Sequence, residues 1–238
     1  MKIEVWSDYV CPFCYIGKRT LEQALERSGY ANQAEITFKA YELDAQAPVD
    51  SEKLAYEHLA EKMGQSLEQA KQMTVGVAEH AKAFDLNYDV ENMPHANTFS
   101  AHRLVKWAET QGGEYQLTEL LMHHYFEKAH NISNAEILLA IVEKAGLDRQ
   151  QAAAVLTSDQ FQSEVEQDIQ EARQIGVHGV PFFVVNHKYA ISGAQPLEAF
   201  IEALEQIGEE EGVRPALKPL GLGKKETSFC TGDSCDGD

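Results

Sequence analysis

The sequence has no long apolar run and no basic cluster, and each absence excludes a class of protein. No segment approaches the roughly 20 apolar residues that a membrane-spanning helix requires. The chain carries 38 acidic against 20 basic side chains, a net charge of −18 with neutral histidines. Because no lysine- or arginine-rich stretch interrupts this acidic background, we expect no binding to nucleic acid or to a membrane surface.

The residues that are present are those of a globular protein. Apolar residues make up 44% of the 238 positions, which excludes disordered and collagen-like chains. A chain of this length buries roughly 70% of its unfolded surface and needs no disulfide for stability. The first ten residues include Glu4 and Asp8 and do not resemble a secretory signal, so we expect a cytoplasmic protein. Cysteine pairs in the cytoplasm are more often catalytic, redox-sensing or metal-binding than structural.

The N-terminal part of the sequence shows a β-α-β pattern. A series of predicted helices comes after it along the chain. Alternating residues predict strands over 2–7 and 34–41, and helical spacing predicts a helix over 12–28 between them. Such a unit places its two strands parallel. The segment 51–176 contains no convincing strand, and we predict helices in it over 51–63, 66–84, 97–111, 114–129, 134–145, 148–157 and 159–175.

Strand patterns return after Gly176. Two strands are predicted over 182–186 and 188–191, joined by a tight turn at Asn186-His187. A helix over 195–210 follows, and Pro196 is expected at its first position. Proline fits there because the N–H that it lacks would have no partner within the helix.

These elements predict an α/β protein with a large all-helical insertion. Residues 1–45 and 176–210 form one sheet domain, residues 46–175 form the insertion, and residues 211–238 form a flexible tail with little apolar periodicity. The insertion's core is expected to contain Met63, Met73, Leu120, Leu138 and Leu139.

The pair Cys11 and Cys14 is the main chemical feature of the sequence. If Pro12 is the first helical residue, Cys11 is the N-cap, and its sulfur faces unpaired N–H groups and the positive end of the helix dipole. This placement favours a thiolate, which is the nucleophilic form. Cys14 lies one turn further on the same face, close enough to form a disulfide with Cys11. The alternative is half of a zinc site, but a Cys-X-X-Cys between strand and helix favours redox chemistry.

Several motifs together resemble the DsbA family of thioredoxin-fold proteins, in particular its cytoplasmic FrnE-like branch. They are Ser7-Asp8 at a strand end, the run Cys11 to Gly17, the helical segment Asn97 to Leu104, and Gly179-Val180-Pro181-Phe182-Phe183. The resemblance spans about residues 1–210. It implies a thioredoxin fold that is interrupted by a helical domain, with catalysis by a dithiol.

The resemblance also implies roles for individual residues. Cys11 attacks the substrate disulfide, Cys14 resolves the mixed disulfide, and a cis Pro181 lies beside the two sulfurs. The backbone there receives the substrate chain as an additional strand. Four residues are expected to contact substrate: Pro12, Phe13, His102 and Val180.

Other residues are candidates for tuning the thiols. His178, three residues before Pro181, would favour a thiolate as an imidazolium, and its loop position leaves its direction open. Asp8, Glu42 and Asp44 follow strand ends near the motif. The resemblance implies that a buried carboxylate there exchanges a proton with Cys14, although solvated loop acids are commoner. The histidines show no His-x3-His spacing, so we predict no metal site, and no cofactor is indicated.

A second cysteine pair, Cys230 and Cys235, lies in the predicted tail. Gly232 and Asp233 are turn residues that would bring the two sulfurs together. Some FrnE-like proteins carry a similar pair, and the resemblance implies a redox relay to Cys11 and Cys14. The alternatives are a tail disulfide with no catalytic role and a metal site.

Together these features predict a cytoplasmic thiol-disulfide oxidoreductase with disulfide-containing or thiol proteins as substrates and glutathione or thioredoxin as electron partner. The sequence departs from periplasmic DsbA proteins because Phe13 replaces the histidine between the cysteines, so a milder oxidant or a reductase is expected. Two alternatives stay open at this point. One is a glutathione-dependent isomerase or transferase of the kappa or 2-hydroxychromene-2-carboxylate type, and the other is a zinc-binding or holdase module.

Overall fold

A computed structural model describes residues 1–216 and the backbone of two short strands, Cys230–Thr231 and Ser234–Cys235. Residues 217–229, 232–233 and 236–238 lie outside the described residues, as do the side chains of Cys230 and Cys235. The predictions of a flexible tail and of a relay by its two sulfurs therefore fall largely outside this description.

The strands and helices of the sheet domain follow the predicted order. They are β1 (Lys2–Ser7), α1 (Pro12–Ser28), β2 (Glu35–Ala40), β3 (Phe182–Val185), β4 (Tyr189–Ser192) and α9 (Leu197–Glu211). β1 and α1 have the predicted bounds. Asn186 and His187 form the predicted tight turn, with positive φ angles of 52° and 53°, as a two-residue turn between twisted strands requires. Pro196 is the N-cap of α9 rather than its first helical residue, since its ψ of 150° is extended.

The four strands form one mixed sheet in the order β2-β1-β3-β4. β1 is parallel to β2 and antiparallel to β3, and Trp6 of β1 lies opposite Phe182 of β3. Because of this register, the last residues of β1 and the first residues of β3 lie at the same end of the sheet. The cysteine motif follows β1 and Pro181 precedes β3, so these two segments meet at this end of the sheet.

One core lies between the sheet and the two helices α1 and α9. Inward residues of β1 and β3 pack on apolar residues of both helices, and the most buried of this set are Ile3, Ala24, Phe183, Val185, Phe200 and Leu204. Alternation along the strands and helical spacing along α1 and α9 thus converge on the same apolar layer.

Seven further helices lie between β2 and β3: α2 (Ala55–Met63), α3 (Leu67–Ala81), α4 (Phe99–Glu109), α5 (Glu114–Phe126), α6 (Ala135–Lys144), α7 (Arg149–Leu156) and α8 (Gln162–Gln174). Ser66, Asn134 and Asp148 cap three of them by accepting backbone N–H bonds. Within the described residues, no helix has the length and apolar character to cross a bilayer.

The helical core differs in part from prediction. Leu138 and Leu139 are buried and Leu120 packs against the core, as expected. Met63 and Met73 do not fill it, since they are 46% and 44% exposed. Cys11 and Cys14 belong to this core together with Tyr15 and Ile16 of α1, so the cysteine motif lies where the sheet domain and the helices pack together.

A buried carboxylate joins the helices to the sheet. Asp168 of α8 accepts a hydrogen bond from the Ala40 amide at 3.0 Å and lies 2.5 Å from Lys106 Nζ and 3.1 Å from Lys39 Nζ. Its backbone carbonyl accepts the indole N–H of Trp6 at 3.0 Å. A charge this deeply buried is stable only when it is fully paired, and here α4, α8, β1 and β2 supply the partners.

Gly17 of α1 offers a test of the close approach between α1 and Pro181. A Cβ at this position would lie 2.9 Å from Pro181 Cγ and 3.2 Å from Phe183 Cζ. We predict that Gly17→Ala lowers the free energy of unfolding by about 1–3 kcal/mol through overpacking, measured by urea denaturation.

The control for this substitution is Gly76→Ala in α3, where an added Cβ meets nothing within 4 Å. Since alanine is the better helix former by about 0.5–1 kcal/mol, this variant should be slightly more stable than the parent. Equal effects at the two positions would show that α1 does not pack tightly on Pro181.

Candidate active site

Cys11 lies at the N-cap of α1. Its φ of −88° and ψ of 111° are extended, Pro12 follows in the first turn, and the side chain makes no capping hydrogen bond. The Cys11 amide donates to the Asp8 carbonyl at 3.1 Å, and the Cys14 amide donates to the Cys11 carbonyl at 3.0 Å. These two bonds fix the turn from strand to helix, and they leave the Cys11 sulfur free for other contacts.

Pro181 lies against this turn. The Val180–Pro181 peptide bond is cis, as the resemblance implies. The Cys11 thiol donates to the Val180 carbonyl with Sγ 3.5 Å from the oxygen. Pro181 itself is buried, and the absence of a side chain at Gly17 gives its ring the space to approach α1. The structure thus brings the first cysteine and the proline segment into direct contact.

The two cysteines differ in their surroundings. Both are free thiols, and both side chains are buried. Burial raises the pKa of the Cys14 thiol well above its usual value, and the neighbouring Cys11 raises it further, while the nearby Ser7 hydroxyl and the Asp8 backbone act in the opposite direction. Cys14 is therefore held as a neutral thiol at neutral pH in the dithiol form.

A mainly apolar cavity of about 450 Å³ opens beside Cys11. Of the predicted site residues, Asp8, Cys11, Pro12, Phe13 and Val180 line it, whereas Cys14 does not. The remaining wall is largely aliphatic and comes from α2, α3 and the adjoining loops, with Leu59, Met73, Val77 and Met93 among its residues. Phe13 is 42% exposed at this surface. The cavity thus gives a ligand access to one sulfur of the pair.

Asp8 lines the cavity, whereas its neighbour His102 does not. Asp8 is fully buried; one carboxylate oxygen accepts the Leu43 amide at 2.7 Å, and the other has no hydrogen bond within the described residues. His102 is 3% exposed, contacts the Tyr41 carbonyl with its Nε2 at 3.1 Å and lies 3.5 Å from that second oxygen. The prediction of His102 as a substrate contact is therefore wrong, because α4 directs the ring into the interior.

Glu42 and His178 also lie apart from the cavity. Burial raises the pKa of Glu42, the charge of His102 opposes this rise, and Asp8 and Asp44 add to it. Glu42 is not among the residues that line the cavity. His178 is exposed and does not line it either. Its side chain points into solvent, so the structure does not place an imidazole against the two sulfurs.

Tyr88 and two histidines at the site, His58 and His95, were not among the predicted residues. Tyr88 donates from its hydroxyl to the Pro12 carbonyl at 2.9 Å and packs near both cysteines. Asp44, His58 and His95 lie together in the cavity wall. No local pattern in the sequence indicates either group, because their members come from segments that are distant along the chain.

The fold and this site define a thioredoxin-like protein with a dithiol beside a cis proline. The family of DSBA-like thioredoxin domains matches residues 2–205, and the chain belongs to this family. The predicted fold class is confirmed: a four-stranded mixed sheet with, in the described part of the chain, nine α-helices.

Individual proteins show the same relationship. A crystal structure of a “probable DsbA oxidoreductase” from Streptomyces coelicolor is 33% identical, with a TM-score of 0.83, and the match covers 100% of this chain and 99% of that one. The uncharacterized protein YwbO of Bacillus subtilis is 25% identical over 85% of this chain and 94% of its own length. The cytosolic disulfide reductase DsbM of Pseudomonas aeruginosa, solved with GSH, is 15% identical with a TM-score of 0.60, over 88% of this chain and 100% of its own. This last likeness concerns the fold alone.

The different surroundings of the two cysteines predict their order of reaction. Treatment of the reduced protein with limiting iodoacetamide near neutral pH should alkylate Cys11 before Cys14, because Cys11 lines the cavity and the pKa of Cys14 is raised. Peptide mapping by mass spectrometry separates the two positions from Cys230 and Cys235. A Cys11→Ser variant serves as the control and should leave Cys14 slow to react. Faster labelling of Cys14 would contradict this assignment.

Proposed function

We propose that the protein is a thiol-disulfide oxidoreductase that reduces or rearranges protein disulfides in the cytoplasm and belongs to the FrnE-like branch of its family. The observation that carries the proposal is the Cys11 thiol at the N-cap of α1, which lines an apolar cavity and contacts the Val180 carbonyl. The compartment and the direction are those that the sequence predicts, since Phe13 replaces the histidine found between the cysteines of periplasmic DsbA proteins.

The chemistry requires only the two cysteines and the substrate. The Cys11 thiolate attacks one sulfur of a substrate disulfide, a mixed disulfide forms, and the other substrate sulfur leaves as a thiolate. Cys14 then loses its proton and attacks the Cys11 sulfur. The substrate is released with two thiols, and a Cys11–Cys14 disulfide remains, so two electrons have passed to the substrate.

The burial of Cys14 suits it to the second step. As a neutral thiol outside the cavity it does not compete for the substrate, and it lies one helical turn from the sulfur that it attacks. The cavity wall is aliphatic near Cys11, which favours substrates with apolar side chains beside the disulfide. The substrate backbone pairs with the segment at Val180, which precedes β3 and lies beyond the residues that pair with β1 and β4.

The tail pair completes the cycle. In the backbone of the two terminal strands, Cys230 lies directly opposite Cys235, which brings the two positions close enough for a disulfide. As a dithiol, this pair reduces the Cys11–Cys14 disulfide and becomes a disulfide itself. A thiol of the glutathione or thioredoxin class then returns it to the dithiol form. Because the pair is tethered, the exchange proceeds at an effective concentration of up to about millimolar.

Replacement of Cys14 distinguishes this function from that of a glutathione-dependent isomerase. We predict that Cys14→Ser accumulates a mixed disulfide on Cys11 and loses turnover with a disulfide substrate, because Cys14 is the other free thiol beside Cys11 among the described side chains. Non-reducing electrophoresis and an insulin-reduction assay measure the two effects, and Cys11→Ser should show neither trapped complex nor turnover. Full activity of Cys14→Ser in a glutathione-dependent reaction would instead favour the isomerase class.

Replacement of the tail pair tests the relay. In Cys230→Ser/Cys235→Ser, one turnover of the reduced enzyme should proceed at the parent rate, because Cys11 and Cys14 are unchanged. Steady-state reduction by glutathione or thioredoxin should fall by roughly 10²-fold, since the tethered donor is lost. The matched control is Ser228→Ala/Ser234→Ala, which alters the same tail without affecting a thiol. Unchanged steady-state turnover of the double cysteine variant would remove the relay from the proposal.

A further inference from the structure

A cluster of three metal-ligating side chains lies in the cavity wall, apart from the cysteines. Asp44 follows β2, His58 belongs to α2, and His95 precedes α4. His95 Nε2 lies 3.1 Å and His58 Nε2 lies 3.2 Å from the same oxygen, Asp44 Oδ2. Each residue offers one ligand atom, and the three atoms all lie within 4.8 Å of one another. Two imidazole nitrogens and a carboxylate oxygen therefore lie close together.

Hydrogen bonding within the protein does not account for this arrangement. His58 Nε2 is buried and has no hydrogen-bond partner among the described residues, although the Asp44 oxygen is near, because the geometry between them is unsuitable. The rings of His58 and His95 are stacked, with centroids 3.8 Å apart and planes 7° apart. One buried ring nitrogen, Nε2 of His58, is thus left without a partner among the described residues, and burial makes that costly.

The spacing of the ligand atoms fits a metal ion. Zinc binds imidazole nitrogen and carboxylate oxygen at roughly 2.0–2.2 Å with tetrahedral angles, which places neighbouring ligand atoms about 3.3–3.5 Å apart. The observed N–O separations of 3.1 and 3.2 Å need to widen by only a few tenths of an ångström. The two stacked rings, whose planes are 7° apart, also need to turn relative to each other so that both nitrogens point at one ion. His95 Nδ1 lies 3.2 Å from the Ser51 hydroxyl, the kind of outer contact that orients a metal-bound histidine.

We propose that Asp44, His58 and His95 form a binding site for a divalent transition metal of the zinc class. Three protein ligands leave a fourth coordination position open, as in zinc sites that accept water or an exogenous ligand. The three residues line the same cavity as Cys11, so a bound molecule in that cavity has access to the open position. The site does not use the cysteines, and it stands independently of the proposed redox function.

Cobalt binding to the full-length protein tests the proposal. In a Cys11→Ser/Cys14→Ser/Cys230→Ser/Cys235→Ser variant, one Co²⁺ per chain should bind and give visible d–d absorption without the near-ultraviolet band of a thiolate ligand. Zn²⁺ should displace it, and calorimetry gives the affinity for Zn²⁺. In this background, Asp44→Asn and His58→Gln should each weaken Zn²⁺ binding by more than the roughly 10- to 100-fold that loss of an outer-shell partner costs.

The matched control is His123→Gln. His123 also lies 3.1 Å from a carboxylate, that of Glu127, but it has no second histidine beside that oxygen, so its replacement should leave Zn²⁺ affinity unchanged. Circular dichroism checks that each variant is folded. The cobalt spectrum of the four-serine protein needs no histidine variant and decides the matter even if those variants unfold.

Absence of stoichiometric Co²⁺ or Zn²⁺ binding in the four-serine protein would overturn the proposal, as would unchanged affinity in folded Asp44→Asn. Neither result would affect the trapping of a mixed disulfide by Cys14→Ser. The metal site and the redox function are therefore tested independently.

Discussion

The antiparallel register of β1 and β3 is the constraint on which the site depends. With Trp6 opposite Phe182, the chain leaves β1 beside the point where it enters β3. The turn to α1 and the Val180–Pro181 bond are then neighbours, and the Cys11 sulfur reaches the Val180 carbonyl. A shift of this register by one residue would also move every apolar side chain of the strand to the other face of the sheet. Core packing and the geometry of the dithiol are thus fixed by the same pairing.

The helices between β2 and β3 give the two cysteines different environments. Their core includes Cys14 and excludes it from the cavity, whereas Cys11 lies at the boundary, where α2 and α3 leave a space beside α1. Desolvation keeps one thiol protonated while the other faces arriving ligands. Cys14 is buried among core residues that these helices supply, so their packing contributes to the difference between the two sulfurs.

The sequence predicted those features that depend on neighbouring residues. β1 and α1 have the predicted bounds because Pro12 and the left-handed Gly29, with a φ of 83°, mark the ends of the helix locally. The dithiol, the proline segment and the thioredoxin-like fold followed from motifs and their order. His102 was assigned wrongly, because its helix position does not reveal which face meets the sheet. Asp44, His58 and His95 were not grouped, because 51 residues separate the first from the last and only the tertiary fold brings them together.

The buried Asp168 has a consequence for how this sequence can vary among relatives. One carboxylate contacts two lysines, Lys39 on β2 and Lys106 on α4, and also accepts a strand amide. Lys39 has a second acidic partner, Glu171, at 3.1 Å, and Lys106 lies 3.7 Å from Glu109. Loss of the acid would remove the nearest counter-ion of Lys106 and the link between the two lysines, while loss of either lysine would leave the buried acid with fewer contacts. Single substitutions at these three positions are therefore disfavoured, and replacements should be inherited as a set. Covariation among positions 39, 106 and 168 would then record, in an alignment, where the helical part is attached to the sheet.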